Sequence, residues 1–223
     1  MTGTLALVGG SEWQEGCRGF DSELLAASGA EEVLVLPTAA AYEHPEQSVA
    51  TAEKYFAALG SRVRGVMVLS RPDANDPAHA AAVAAGRFIY LAGGSPMHLR
   101  SVLKDSAVWD ALVAAWRSGA VLAGSSAGAM VVGDPMVDPR GGAFTLGLGL
   151  ISRLAVIPHH NNWSPEKAKR TVHLAPAEVA LVAIDEQTAV IRDPDGTWTA
   201  KGAGTAIVFK NGHEAGLDAL AGS

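Results

Sequence analysis

Five short apolar runs, each closed by a turn signal and separated by stretches with helical spacing, occupy the first 130 residues. They are residues 4–10 (TLALVGG), 32–38 (EVLVLPT), 63–69 (VRGVMVL), 88–94 (FIYLAGG) and 120–126 (AVLAGSS). Each predicts a strand. Several are apolar at nearly every position rather than at alternate ones, which suits strands covered on both faces. Residues 20–28, 46–59, 77–85, 96–103 and 108–117 are the expected helices. Strand and helix in regular alternation predict an α/β fold: a doubly wound, mostly parallel sheet flanked by helices. Ligands of such sheets gather beyond the carboxyl ends of the strands. The turns at Gly9–Gly10, Gly93–Ser95 and Gly124–Gly128 are therefore the places to look for a site.

After Gly133 the texture changes. Residues 134–142 (DPMVDPRGG) predict a loop, 155–157 a short strand, and 165–174 a helix. The tail is β-rich, with strands expected at 181–184, 188–192, 198–201 and 205–209 and a hairpin turn at 195–196. Without a repeat, a linker or a low-complexity tract, residues 1–223 are expected to form one domain. Apolar residues make up 48% and charged residues 18%, enough to bury a core. The net charge of −6 and the scattered basic residues argue against a nucleic-acid partner. No apolar run reaches the roughly 18 residues of a membrane span, and no basic leader precedes the first strand. A cytoplasmic location away from membranes is the expectation. A single cysteine, Cys17, excludes an internal disulfide and a multi-thiolate metal centre.

The sharpest local signal is Gly124-Ser125-Ser126-Ala127-Gly128, which fits G-x-S-x-G. Small neighbours let the chain turn sharply from strand to helix and lift a serine hydroxyl clear of the sheet. The same five residues also describe an ordinary small-residue turn. A nucleophilic serine needs a base and an acid to orient it. Of seven histidines, His159 and His160 follow an apolar run that ends in a turn (IPHHNN). Asp185 and Glu186 interrupt an apolar strand pair (VAIDEQTAV) and are the candidate acids, although a solvated turn explains them equally well. Gly93-Gly94-Ser95 permits a close backbone approach to an oxyanion, and Ser95-Pro96 also reads as a helix cap.

Taken in order, LAGGSPMHL, AGSSAGAM, GLGLI, IPHH and IDEQTA resemble the dipeptidase E and cyanophycinase family. These are serine peptidases on the class I glutamine amidotransferase-like fold, a flavodoxin-like three-layer sandwich. The resemblance runs from about Phe88 to Ala189. It implies Ser126 as nucleophile, His159 as base and Glu186 as acid, with the N–H groups of Gly94 and Ala127 as oxyanion donors. The resemblance makes Ser95 a substrate-facing position; His160, Asn161, Asp185 and Arg170 are further candidate substrate contacts, although Arg170, with Lys167 and Lys169, also reads as part of a solvated helix face. Ser95 stands where relatives have Asn or Asp, and NNWSPEKAKR replaces the arginine-rich segment of cyanophycin-degrading members. The resemblance therefore carries the reaction type better than the substrate.

The expected function is hydrolysis of short peptides through a Ser-His-Glu triad and an acyl-enzyme, with no metal or organic cofactor. A homodimer is the expected assembly of a small α/β enzyme. Two alternatives stand beside it. An α/β-hydrolase-type esterase would run Ser, acid, His along the chain and recruit Asp185 or Asp193 and then His213. A catalytically silent amidotransferase-like domain would use none of these groups.

Overall fold

The computed structural model describes residues 2–140 and 142–221; Gly141, within the expected loop 134–142, lies outside them. In chain order the N-terminal part runs β1 (Leu5–Val8), α1 (Arg18–Ser28), β2 (Glu32–Leu36), α2 (Pro45–Ala57), β3 (Arg62–Gly65) and α3 (Arg71–Ala74). It continues with α4 (Pro77–Ala84), β4 (Phe88–Leu91), α5 (Pro96–Leu103), α6 (Ala107–Arg117), β5 (Val121–Ser125) and α7 (Ala127–Val132). Short strands follow: β6 (Gly133–Asp134), β7 (Met136–Val137), β8 (Phe144–Thr145), β9 (Ile151–Ser152) and β10 (Leu154–Ile157). The chain ends with α8 (Pro165–Leu174), β11 (Ala180–Ile184), β12 (Thr188–Arg192), β13 (Trp198–Gly202), β14 (Ala206–Lys210) and β15 (His213–Ala215).

The main sheet has the order β13-β12-β1-β5-β4-β2-β3. Its five N-terminal strands are mutually parallel, and β12 and β13 join antiparallel at one edge. Strand periodicity sends alternate side chains to opposite faces, and here both faces are buried. Ala6 and Val8 pack with Phe20, Leu24 and Phe56 of α1 and α2. Leu5 and Leu7 pack with Leu99, Leu112 and Met130 of α5, α6 and α7. This explains the near-continuous apolar runs. Phe56 meets Phe88 edge-on at a centroid distance of 6.0 Å, a geometry that adds about 0.5–1.5 kcal/mol to plain burial.

The predicted run 63–69 stops as a strand at Gly65: the Val66 N–H still donates to the Val35 carbonyl of β2, but the Val68 N–H turns back onto the carbonyl of Val66. The loop expected at 134–142 contains the two-residue strands β6 and β7. The β-rich tail divides between two sheets. β10, β11, β14 and β15 form a second sheet with β6 and β9, in the order β15-β14-β11-β10-β6-β9. The two sheets meet near the end of β1, where the backbone N–H of His159 donates to the carbonyl of Gly9 at 2.6 Å.

Candidate active site

Ser126 sits between β5 and α7 with φ 48° and ψ −105°, a conformation an L-residue adopts only at a cost of order 1–3 kcal/mol. The flanking glycines make the turn possible. A Cβ on Gly124 would run into the backbone of Gly128, and one on Gly128 into the carbonyl of Leu91. The helix therefore rides directly on β4 and β5, and the serine is lifted to the rim.

His159 arrives from the second sheet, just past β10, itself in the left-handed region with φ 50°. Its Nε2 lies 2.9 Å from Ser126 Oγ and its Nδ1 lies 2.8 Å from Glu186 Oε1. Glu186 sits between β11 and β12, where the chain leaves one sheet for the other. The hydrogen bond from His159 holds the Glu186 carboxyl below its ordinary range; partial burial opposes this, and the side chains of Ser11 and Asn162 add to the lowering. An ionised carboxylate accepts only, so the imidazole proton belongs on Nδ1 and Nε2 is free to accept from the serine. The chain Glu186–His159–Ser126 can thus withdraw a proton from the hydroxyl. Ser126 and His159 border a cleft of about 160 Å³ shared with Gly94, Trp163 and Lys167, while Glu186 stands behind the imidazole.

The other expected positions have varied surroundings. The N–H of Gly93 is taken by Glu12, whereas among the described residues the N–H groups of Gly94 and Ala127 have no protein acceptor. Ser95 caps α5, its Oγ accepting from the N–H of His98 at 3.2 Å. Asn161 Oδ1 accepts from the N–H of Glu186 at 3.0 Å, so it braces the acid. His160 Nδ1 lies 3.6 Å from Asp185 Oδ1, and Asp185 Oδ2 accepts from both the N–H and the hydroxyl of Thr205. Arg170 is exposed on α8 and does not border the cleft. Lys167, one turn earlier, does, with Nζ 3.7 Å above the Trp163 ring. His213, the base of the alternative esterase reading, is exposed on β15, while the Ser126 hydroxyl is paired with His159. Cys17 is buried, and burial pushes its thiol up to about 11, away from any thiolate role at neutral pH.

Two residues of the site went unread in the sequence. Glu12 Oε1 accepts from the N–H of Gly93 at 2.8 Å and Oε2 from the Ser125 hydroxyl at 2.7 Å. A Cβ on Gly10, whose φ is 118°, would occupy the space of the His159 ring. The Gly9–Gly10 turn signal pointed to this corner, but a lone glutamate behind it carries no spacing that marks a role.

A larger open groove of about 480 Å³ between α6 and Leu148–Leu150 holds none of these groups. The chain is 29% identical over 222 residues to peptidase E of Citrobacter koseri, covering 92% of this chain and 91% of that one. It is 30% identical over 130 residues to a cyanophycinase of Trichormus variabilis, covering 54% of this chain and 44% of the relative. The crystal structure of a peptidase from an acI-B1 Actinobacterium superposes with a TM-score of 0.87 at 30% identity, covering 96% of this chain and 93% of that one. A putative peptidase E from Listeria monocytogenes shares the fold with a TM-score of 0.70 at 18% identity, covering 92% of this chain and all of that one. The family model for peptidase family S51 matches residues 5–198. The match spans β1 to β12 and every residue of the Ser126 cleft, and the chain belongs to peptidase family S51.

Proposed function

We propose that the protein is a serine peptidase that hydrolyses short peptides, dipeptides among them, through an acyl-enzyme. The observation that carries this reading is the continuous chain of hydrogen bonds from Ser126 Oγ through both ring nitrogens of His159 to Glu186. Ser126 Oγ attacks the scissile carbonyl carbon as His159 Nε2 takes its proton, and Glu186 stabilises the imidazolium that forms. The N–H groups of Gly94 and Ala127 receive the oxyanion, a role supported by their lack of a protein acceptor. The C–N bond then breaks, the amine leaves with the proton from His159, and water releases the acyl group by the same steps in reverse order. Loss of one oxyanion donor costs about 10²- to 10³-fold in kcat in enzymes of this kind. Lys167 brings positive charge to the cleft, so peptides with a carboxylate near the cleaved bond are the expected better substrates.

The test is amine release from a library of acidic, neutral and basic dipeptides and short peptides, with Ser126→Ala alongside. Release is expected to fall by at least about 10³-fold in Ser126→Ala and in His159→Ala, and to persist in His213→Ala. Equal release from the parent and Ser126→Ala would end the serine-peptidase reading. Dependence on His213 would move it to the esterase arrangement.

A further inference from the structure

The turn after β1 bonds to His159 and to the chain beside Glu186, Ser126 and Gly94. The Gly9 carbonyl accepts from the N–H of His159, and the Gly10 carbonyl accepts from the N–H of Gln187 at 2.8 Å, next to Glu186. The Ser11 side chain helps to hold the Glu186 carboxyl below its ordinary range. Glu12, with one carboxylate oxygen on the Gly93 N–H and the other on the Ser125 hydroxyl, ties the glycine loop after β4 to the strand that delivers Ser126. The backbone is held in an unusual shape to achieve this. Ser11 and Trp13, on either side of Glu12, both lie in the left-handed region, with φ 50° and 61°. For a residue as large as tryptophan that conformation is a true outlier. Trp13 is anchored by burial and by packing on Tyr90, with ring centroids 5.3 Å apart. Strain of this kind persists only where the surroundings over-determine it, and it gathers at functional sites.

We infer that Glu12 is a positioning residue: its carboxylate clamps the oxyanion loop to the nucleophile elbow and so fixes the Gly94 N–H relative to Ser126 Oγ. This rests on the serine-peptidase reading above. The Gly93 N–H, engaged by Glu12, holds the peptide plane between Ala92 and Gly93, and the Ser95 N–H, donating to the Ala39 carbonyl, holds the plane between Gly94 and Ser95, so the intervening plane that carries the Gly94 N–H is pinned at both ends. The next N–H along the chain is then presented to the cleft in one orientation. The carboxylate touches neither substrate nor the reacting atoms, so its contribution is geometric. Displacement of a catalytic group by about 1 Å costs up to about 10²-fold in rate.

Glu12→Ala is expected to lower kcat by about 10- to 100-fold with KM changed less than about threefold, and to slow labelling of Ser126 by a fluorophosphonate probe in proportion. Glu12→Gln keeps an acceptor for Gly93 and offers a donor to the Ser125 hydroxyl, so it is expected to recover kcat to within about fivefold of the parent. Amide hydrogen exchange at Gly93 is expected to quicken at least about tenfold in Glu12→Ala and to be restored in Glu12→Gln. That readout does not depend on turnover, so it separates the clamp from the catalytic reading. If Ser126→Ala is inert and Glu12→Ala keeps the parental kcat, the clamp falls and the peptidase reading stands. If Ser126→Ala is as active as the parent, the peptidase reading falls and the role of Glu12 in it with it. Equal losses in Glu12→Ala and Glu12→Gln would overturn a geometric role in favour of one for the charge itself. Should Glu12→Ala fail to give a cooperative thermal transition, Ser125→Ala removes one arm of the clamp. It is expected to lower kcat about 3- to 10-fold, and an unchanged kcat in that variant overturns the inference.

Discussion

Gly10 and His159 lie 149 residues apart in the chain, yet the imidazole occupies the place a Cβ of residue 10 would need. The positive φ of 118° adds a second reason for glycine there. Gly10→Ala is expected to push the ring off both Ser126 and Glu186 and to cost about 10²-fold in kcat, measured by steady-state hydrolysis. Gly19→Ala, in α1 with nothing within 4 Å of the added methyl, is the control and is expected to leave kcat unchanged. Residue identity pointed to Ser126 and narrowed the base to His159 or His160 and the acid to Asp185 or Glu186, because an elbow, a histidine after a strand and a carboxylate between strands each leave a local trace; the family resemblance chose within each pair. Gly10 showed only as part of a turn signal, and Glu12 left no trace. One is defined by a volume it must not fill, the other by two partners 81 and 113 residues away.

Among the elements, the helices were the most legible. Residues 96–103 and 165–174 match the observed α5 and α8, since each opens on a serine cap followed by proline at the first helical position. Ser95→Ala removes the bond to the His98 N–H and is expected to cost about 1 kcal/mol, read from the urea midpoint at unchanged m-value. Strand pairing was less legible. A reader of VAIDEQTAV sees two apolar stretches with polar residues between them and expects a hairpin. In the fold β11 pairs with β10 and β14, while β12 pairs with β1 and β13 in the other sheet. The segment Asp185–Gln187 is a crossing between sheets, and this is what carries Glu186 to His159. Apolar alternation reports that a strand is covered, not which neighbour covers it.

For the molecule as a whole, one buried group makes stability depend on pH in an unusual direction. Asp21 in α1 is fully buried; its carboxylate accepts from Tyr55 Oη at 2.9 Å through Oδ2, while Oδ1 has no partner among the described residues. Burial pushes its pKa up to about 7, against the lowering effect of the Tyr55 hydrogen bond and with a further rise from the charge of Glu12. A carboxyl raised in the folded state binds its proton more tightly there than in the unfolded chain. Its contribution to stability is therefore fully present below about pH 4 and is lost as pH rises through about 7. Asp21→Asn keeps the acceptor for Tyr55 and removes the titration. It is expected to raise the thermal midpoint at pH 8 far more than at pH 5, and equal shifts at the two pH values would contradict this account.

The sequence by itself determined the α/β class, the positions of most helices and the sharp turn at Ser126. Each of these rests on rules that act over a few residues: side-chain periodicity, capping, and the steric freedom of glycine. Only the tertiary structure decided that the C-terminal strands divide between two sheets, that His159 and Glu186 reach Ser126 from the second sheet and the crossing, and that Glu12 clamps the loop opposite. Those outcomes depend on which distant groups meet once the chain has closed its long loops. Hydrogen bonds between residues about a hundred positions apart are selected by the packing of the whole core, which no local pattern encodes.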